Sequence, residues 1–181
     1  MTTFVALLRG VNVGKAKRVR MAEFRTLLSG LGYAGVTTLL NSGNAVFHAT
    51  KGSSAQHAAG IAAALAKELN IEVPVIVKSA RELAAIVSEC PIKAEASDHS
   101  RFLVAFVQQA AALPSLASLE ALLVPPEQFA IGSQAAYLLC ANGILESKAG
   151  EALVGKAGKQ VTCRNWATVL KLQALAENPS F

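Results

Sequence analysis

The residues best suited to chemistry fall in two short stretches, and both are polar and basic. The first is Arg9-Gly10-Val-Asn12-Val-Gly14-Lys15-Ala-Lys17-Arg18, followed within the next few residues by Arg20 and Arg25. Residues 1–30 carry six basic groups and one acid, whereas the rest of the chain carries eleven of each, so the whole formal charge of +5 arises in this segment. Cations concentrated on a glycine-bearing loop suit phosphate or carboxylate oxygens, because Lys and Arg supply charge-assisted donors and glycine gives the backbone freedom to turn its N–H groups inward. The bland alternative is a solvated loop of ordinary polarity.

The glycine spacing invites comparison with a nucleotide-binding loop, G-x-x-x-x-G-K-[ST] after a strand. It does not match. Three residues separate Gly10 from Gly14, and Ala16 stands where the magnesium-binding hydroxyl belongs. Triphosphate hydrolysis is not the expected chemistry.

The second stretch is Thr162-Cys-Arg164-Asn165-Trp166-Ala-Thr168-Val-Leu-Lys171. Asn165 or Thr162 can cap a following helix, and Arg164 would then sit beside a helix amino end. Trp166, the one Trp of the chain, reads as a packing residue with Val169 and Leu170 three and four positions on, and its alternative role is a ligand-facing ring. No nucleophile–base–orienter set is legible. Cys163 lacks a neighbouring His and reads as an inert thiol, so catalytic residues are not assigned.

These stretches must be held by strands and helices, which periodicity predicts. Phe4–Leu8 is a strand, Met21–Leu31 a helix, and Val36–Leu40 with Ala45–Phe47 a hairpin around Asn41-Ser42-Gly43-Asn44. Ser53 and Ser54 cap a helix to about Leu69, and Val73–Val77 follows as a strand. The order β-α-β-β-α-β is that of a ferredoxin-like, split βαβ unit. After a helix at 79–88 and a polar linker at about 91–100 the pattern restarts: a strand at 102–107, a helix at 113–123 opened by Pro114-Ser115, a hairpin of 129–131 with 136–140, and a helical segment near 145–153.

In this second copy the last strand reads as lost, replaced by Gly155–Gln160 and a final helix over 165–177. The expected class is therefore α+β: two ferredoxin-like subdomains, at 1–90 and 101–181, the second degenerate and carrying a C-terminal helix. The strands Phe4–Leu8 and Phe102–Val107 are apolar at every position, which predicts sheets covered on both faces. Phe47 is isolated and no RNA-recognition aromatic run exists, so an open, base-stacking sheet is not expected.

In a split βαβ the first two strands run the same way, so the loop 9–20 and the turn 41–44 end at one edge of the sheet. This gathers Arg9, Gly10, Asn12, Gly14, Lys15, Arg18, Asn41, Ser42 and Asn44 into one polar rim. Arg164, Asn165, Trp166 and Lys171 are expected to close over it. The expected partner is a phosphate-bearing ligand or a nucleic acid. A small-molecule enzyme with its pocket between the halves is the rival, and a homodimeric module the third reading.

Composition bounds the rest. The chain of 181 residues is 52% apolar, enough for a core, and no apolar run reaches the roughly 18 residues that span a bilayer. With no signal-like start, the cytoplasm is the expected address. Cys90, Cys140 and Cys163 are an odd number at wide spacing, and His48, His57 and His99 are scattered, so no disulfide, metal or cofactor is expected.

Taken together, Val5-Ala-Leu-Leu-Arg-Gly-Val-Asn-Val-Gly14, Met21-Ala-Glu-Phe-Arg25, Leu40-Asn-Ser-Gly-Asn-Ala-Val-Phe47 and Thr162-Cys-Arg-Asn-Trp-Ala-Thr-Val-Leu-Lys-Leu172 resemble the domain-of-unknown-function family 1697, small bacterial proteins without an assigned activity. The resemblance implies paired ferredoxin-like units and no substrate. Its motif positions are Arg9, Gly10, Asn12, Gly14, Ser42, Gly43, Asn44, Thr162, Arg164, Asn165, Trp166, Thr168 and Lys171. Asn41 departs from a usual Gln, and Cys163 from a common Thr.

Overall fold

The computed structural model describes residues 1–15 and 17–178. Among these, the chain forms two compact units, one of residues 1–83 joined by residues 172–178, the other of residues 84–171.

In the first unit the elements are β1 (Thr2–Leu8), α1 (Met21–Gly30), β2 (Ala34–Leu39), β3 (Asn44–Ala49), α2 (Ser54–Leu69) and β4 (Val75–Ser79). Their sheet order is β2-β3-β1-β4, with every neighbouring pair antiparallel. This is the ferredoxin-like arrangement. Ser53 starts α2 through a reciprocal capping box with Gln56, which satisfies two backbone donors at the helix start. Phe24, Leu27 and Leu28 of α1 and Ala58, Ile61 and Leu65 of α2 close over Phe4, Ala6, Leu8 and Phe47 of the sheet. The opposite face is also covered, with Val5 and Leu7 both 1% exposed, as the uninterrupted apolar strand predicted.

His57 is enclosed in this core by the rings of Phe4, Tyr33 and Phe47, at centroid separations of 4.5, 5.1 and 5.6 Å. Its Nδ1 lies 2.9 Å from the Tyr33 hydroxyl, and its buried Nε2 has no hydrogen-bond partner. Burial lowers the imidazole pKa from its ordinary value, with the Lys51 backbone acting the other way.

α3 (Ala80–Ser88) begins in a second reciprocal cap. Ser79 N donates to Glu82 Oε2 at 2.6 Å, and Glu82 N donates to Ser79 Oγ at 3.2 Å. Ser54 Oγ adds a 2.6 Å bond to the same carboxylate. Burial would raise the Glu82 carboxyl, but these bonds and the nearby Lys78 hold it below its ordinary value. Lys78 itself is 3% exposed, and burial lowers its pKa against the opposing charge of Glu82.

The second unit repeats the plan with β5 (Phe102–Val107), β6 (Gln128–Ile131), β7 (Ala135–Leu139), α4 (Lys148–Val154) and β8 (Val161–Asn165), ordered β6-β7-β5-β8. Two expectations are corrected. The last strand is present: β8 pairs antiparallel with β5 from Val161↔Val107 to Asn165↔Leu103. Its sequence, Val-Thr-Cys-Arg-Asn, hides the strand because it is short and runs straight into Asn165-Trp166, where an asparagine before an apolar stretch reads as the cap of a helix.

The helix predicted at 113–123 is instead a run of 3₁₀ turns over Ala110–Leu122. Leu113, Leu116 and Leu119, all buried, recur every three residues, which aligns them at three residues per turn and spreads them around an α-helix. This is where the second copy departs from the first. Its other sheet face is closed by Tyr137, whose hydroxyl donates to Ile86 O at 2.6 Å, and by Trp166 stacked on Phe102. The last helix is α5 (Trp166–Glu177).

Candidate functional site

β1 and β2 both end at the same edge of the first sheet, and the chain beyond each is bound to the other. Leu8 N donates to Gly43 O at 2.8 Å, and Arg9 N to Pro74 O at 3.0 Å. The loop after β1 thus starts between the β2–β3 turn and the entry to β4. It then closes on itself, with Asn12 N donating to Lys17 O at 2.9 Å.

Asn12 is the central residue of this edge. Its Oδ1 accepts from Val19 N at 2.9 Å, while Nδ2 donates to Val19 O and to Asn41 O, both at 2.7 Å. One side chain therefore ties the far end of the loop and fastens it to the hairpin turn. The backbone at Asn12 has φ 57°, a region that Asn tolerates better than other side chains.

Asn44 does the equivalent work inside the turn. It is fully buried, and its Nδ2 donates to Leu39 O at 3.0 Å and to Ser42 Oγ at 2.9 Å. Gly43 has φ 79°, and a Cβ there would lie 2.6 Å from Leu8 Cβ and 2.8 Å from Val11 Cγ2. Only glycine lets the turn press so closely on β1.

The amides thus hold the rim, and its outer surface belongs to other residues. Lys15, Lys17, Arg18 and Asn41 are exposed, Arg9 and Ser42 half-buried. The Lys17 ammonium donates to Glu72 O across the loop. Lys15 and Arg18 form no ion pair among the described residues. Gly10, Asn12 and Gly14 have φ 63°, 57° and 54°, left-handed backbone that lets the loop double back on itself. The loop after β1 and the β2–β3 turn thus meet at one edge of the sheet. Two exposed apolar side chains, Val13 on the loop and Leu40 on the turn, were not foreseen.

The Thr162–Lys171 stretch is built differently. Arg164 lies on β8 opposite Val104, only 8% exposed, with its Nη1 donating to Thr162 Oγ1 and to Cys163 O, both at 2.8 Å. Burial pushes its pKa down to about 10. Asn165 Oδ1 accepts from Thr168 N at 2.9 Å and so caps α5. The Trp166 ring stacks on Phe102 at 4.9 Å and 26°. Lys171 is exposed on α5.

Lys78, buried beside Glu82, is a polar group that sequence patterning passed over. The available signal was a lysine two residues after Ile76 in an otherwise apolar strand. Among the described residues no group of three or more His, Cys, Asp or Glu could hold a metal ion, and no helix is long and apolar enough to cross a membrane.

The fold is similar to that of a solved conserved bacterial protein from Streptococcus pneumoniae, with a TM-score of 0.80 at 23% identity over 97% of this chain and 98% of that one. No curated protein matches the sequence. The model of the family described as proteins of unknown function, DUF1697, matches residues 1–137, and with both sheets, the asparagine-braced rim and that match in place, the chain belongs to this family.

Proposed function

We propose that the protein binds a phosphate-bearing ligand through the rim of its first unit, with Lys15 and Arg18 as the anchoring cations and Arg9, Gly10, Gly14, Asn41 and Ser42 around them. The observation that carries this function is the support beneath the charges. The loop is braced by the three side-chain bonds of Asn12, so the cations stand on a preorganised frame. Preorganisation lowers the ordering cost of binding, which a flexible basic tail would meet in full. The segregation of the entire net charge into residues 1–30 supports the same reading, because attraction of an anion to one region needs an uncompensated local field.

The test is equilibrium binding to a fluorescein-labelled 20-bp DNA duplex and to inorganic phosphate, for the native protein and for a Lys15→Ala/Arg18→Ala variant. The expected result is binding of at least one probe that the double variant weakens by about tenfold or more. On the duplex, the dependence of log K on log salt should become shallower by about 0.9 for each phosphate that the variant no longer neutralises. Affinity that is indifferent to both salt and the double substitution would remove the rim as the site.

A further inference from the structure

We propose that Leu40, with Val13 on the loop to which its turn is tied, is an apolar wedge that enters a nucleic-acid duplex while the rim's cations hold the flanking phosphates. This deepens the phosphate-binding function proposed above and rests on it.

The starting observation is a left-handed backbone at an exposed aliphatic residue. Leu40 has φ 58°, the left-handed region in which an L side chain crowds its own carbonyl. The other described non-glycine residues in this region are Asn12 and Asn70, a residue type that tolerates it, and Asn70 ends α2. Hairpin turns place Asn, Asp or Gly at such positions for that reason. Leu40 instead keeps a large aliphatic chain there, 53% exposed, on a turn tethered through Asn12 and Asn41 to the loop bearing Val13, itself 66% exposed.

Single exposed apolar residues are common and need no explanation. A strained one on a cationic, braced rim is different, because strained conformations concentrate where a ligand is engaged.

The chemistry of the surroundings selects the ligand. Lys15 and Arg18 call for phosphates, and the aliphatic tips call for an apolar layer close to them. A base-pair step in a duplex offers both, with phosphates on either side of stacked bases that a Leu side chain can part, bending the helix. A free nucleotide or single strand would be held by stacking on a ring, and residues 9–20 and 40–44 contain no aromatic residue. An anionic lipid surface satisfies the cations, but two aliphatic side chains are a small anchor for it.

The experiment compares native protein, Leu40→Asn, Val13→Ser and Lys15→Ala/Arg18→Ala on a 20-bp duplex labelled at both ends, read by anisotropy for affinity and by energy transfer for bending. Asn accepts the left-handed backbone, so Leu40→Asn is expected to fold and to melt about 2–4 °C higher than the native protein. It is expected to bind about tenfold more weakly, with the salt slope unchanged and the bend of roughly 20–90° lost. Val13→Ser should weaken binding less.

Native-like affinity and bending in Leu40→Asn, with duplex binding still dependent on Lys15 and Arg18, would overturn the wedge and leave the phosphate site standing. Absence of duplex binding by the native protein would overturn the wedge, and if inorganic phosphate also failed to bind, the phosphate site with it. Vesicles of phosphatidylserine and phosphatidylcholine that require Leu40 where the duplex does not would overturn the wedge in favour of a lipid surface.

Discussion

The rim of the first unit and the β8–α5 junction are alike in sequence and differ in how the fold uses them. Each offers basic residues beside asparagines. In the rim the amides of Asn12 and Asn44 are buried or bonded, and the cations Lys15 and Arg18 face out. At the junction the cation itself is buried: Arg164 is bonded within its own strand, Asn165 caps a helix, and Trp166 stacks on Phe102. A polar cluster can thus be a scaffold that presents charge or a scaffold that consumes it. What separates the two is which member points into the fold.

Four experiments break or sharpen this contrast. The largest effect is expected from Arg164→Ala, which empties buried volume and removes the bonds that the guanidinium donates to the Thr162 hydroxyl and the Cys163 carbonyl. Urea unfolding should show a loss of about 2–4 kcal/mol. A loss under about half a kilocalorie, as expected of a surface charge, would place Arg164 outside the structural frame.

Next comes Asn12→Ala. Three side-chain bonds are lost and an alanine must adopt φ near 57°, so about 2 kcal/mol of stability should go, and the Val19 amide should lose its protection against hydrogen exchange. Unchanged exchange at Val19 would show that the brace is not what fixes the loop.

The third concerns acid. The folded pKa of His57 is lowered by burial, so the native state binds this proton more weakly than the unfolded chain does. Stability is therefore complete above the unfolded value of about 6.5 and declines as pH falls towards the folded one, with a slope of at most about 1.4 kcal/mol per pH unit. His57→Phe should flatten the profile in this window, whereas Arg164→Ala should leave its shape alone. Identical slopes in the native protein and His57→Phe would assign the acid sensitivity to other groups.

Smallest is Asn165→Ala, where loss of one helix cap should cost about 1 kcal/mol. A thermal shift larger than that of Asn12→Ala would reverse the ranking of the two asparagines.

Much of the fold was legible in advance, for definable reasons. α2 declared itself through Ser53, Gln56 and the Ile61–Leu65 stripe, because capping and helical periodicity are local properties. The meeting of the loop after β1 with the β2–β3 turn followed from strand direction alone. The missing pieces share the opposite cause. β8 is a strand because β5 accepts it as a partner, and that pairing outweighs the helix-cap reading of Arg164-Asn165-Trp166. The 3₁₀ run is hidden because a three-residue leucine spacing also fits part of the commoner helix.

The sequence by itself determined the α+β class, the first copy of the ferredoxin-like order, the confinement of net charge to residues 1–30, and the polar character of the loop after β1 and of the β2–β3 turn. All of these depend on local periodicity, composition or chain direction. Only the tertiary structure decided which polar residues are exposed. Asn12 and Asn44 turn inward because the loop and the hairpin need buried backbone groups satisfied, and Arg164 is buried because β8 joins a sheet covered on both faces. The strained, exposed Leu40 is likewise invisible in sequence, since a residue's φ is set by the turn that its neighbours close.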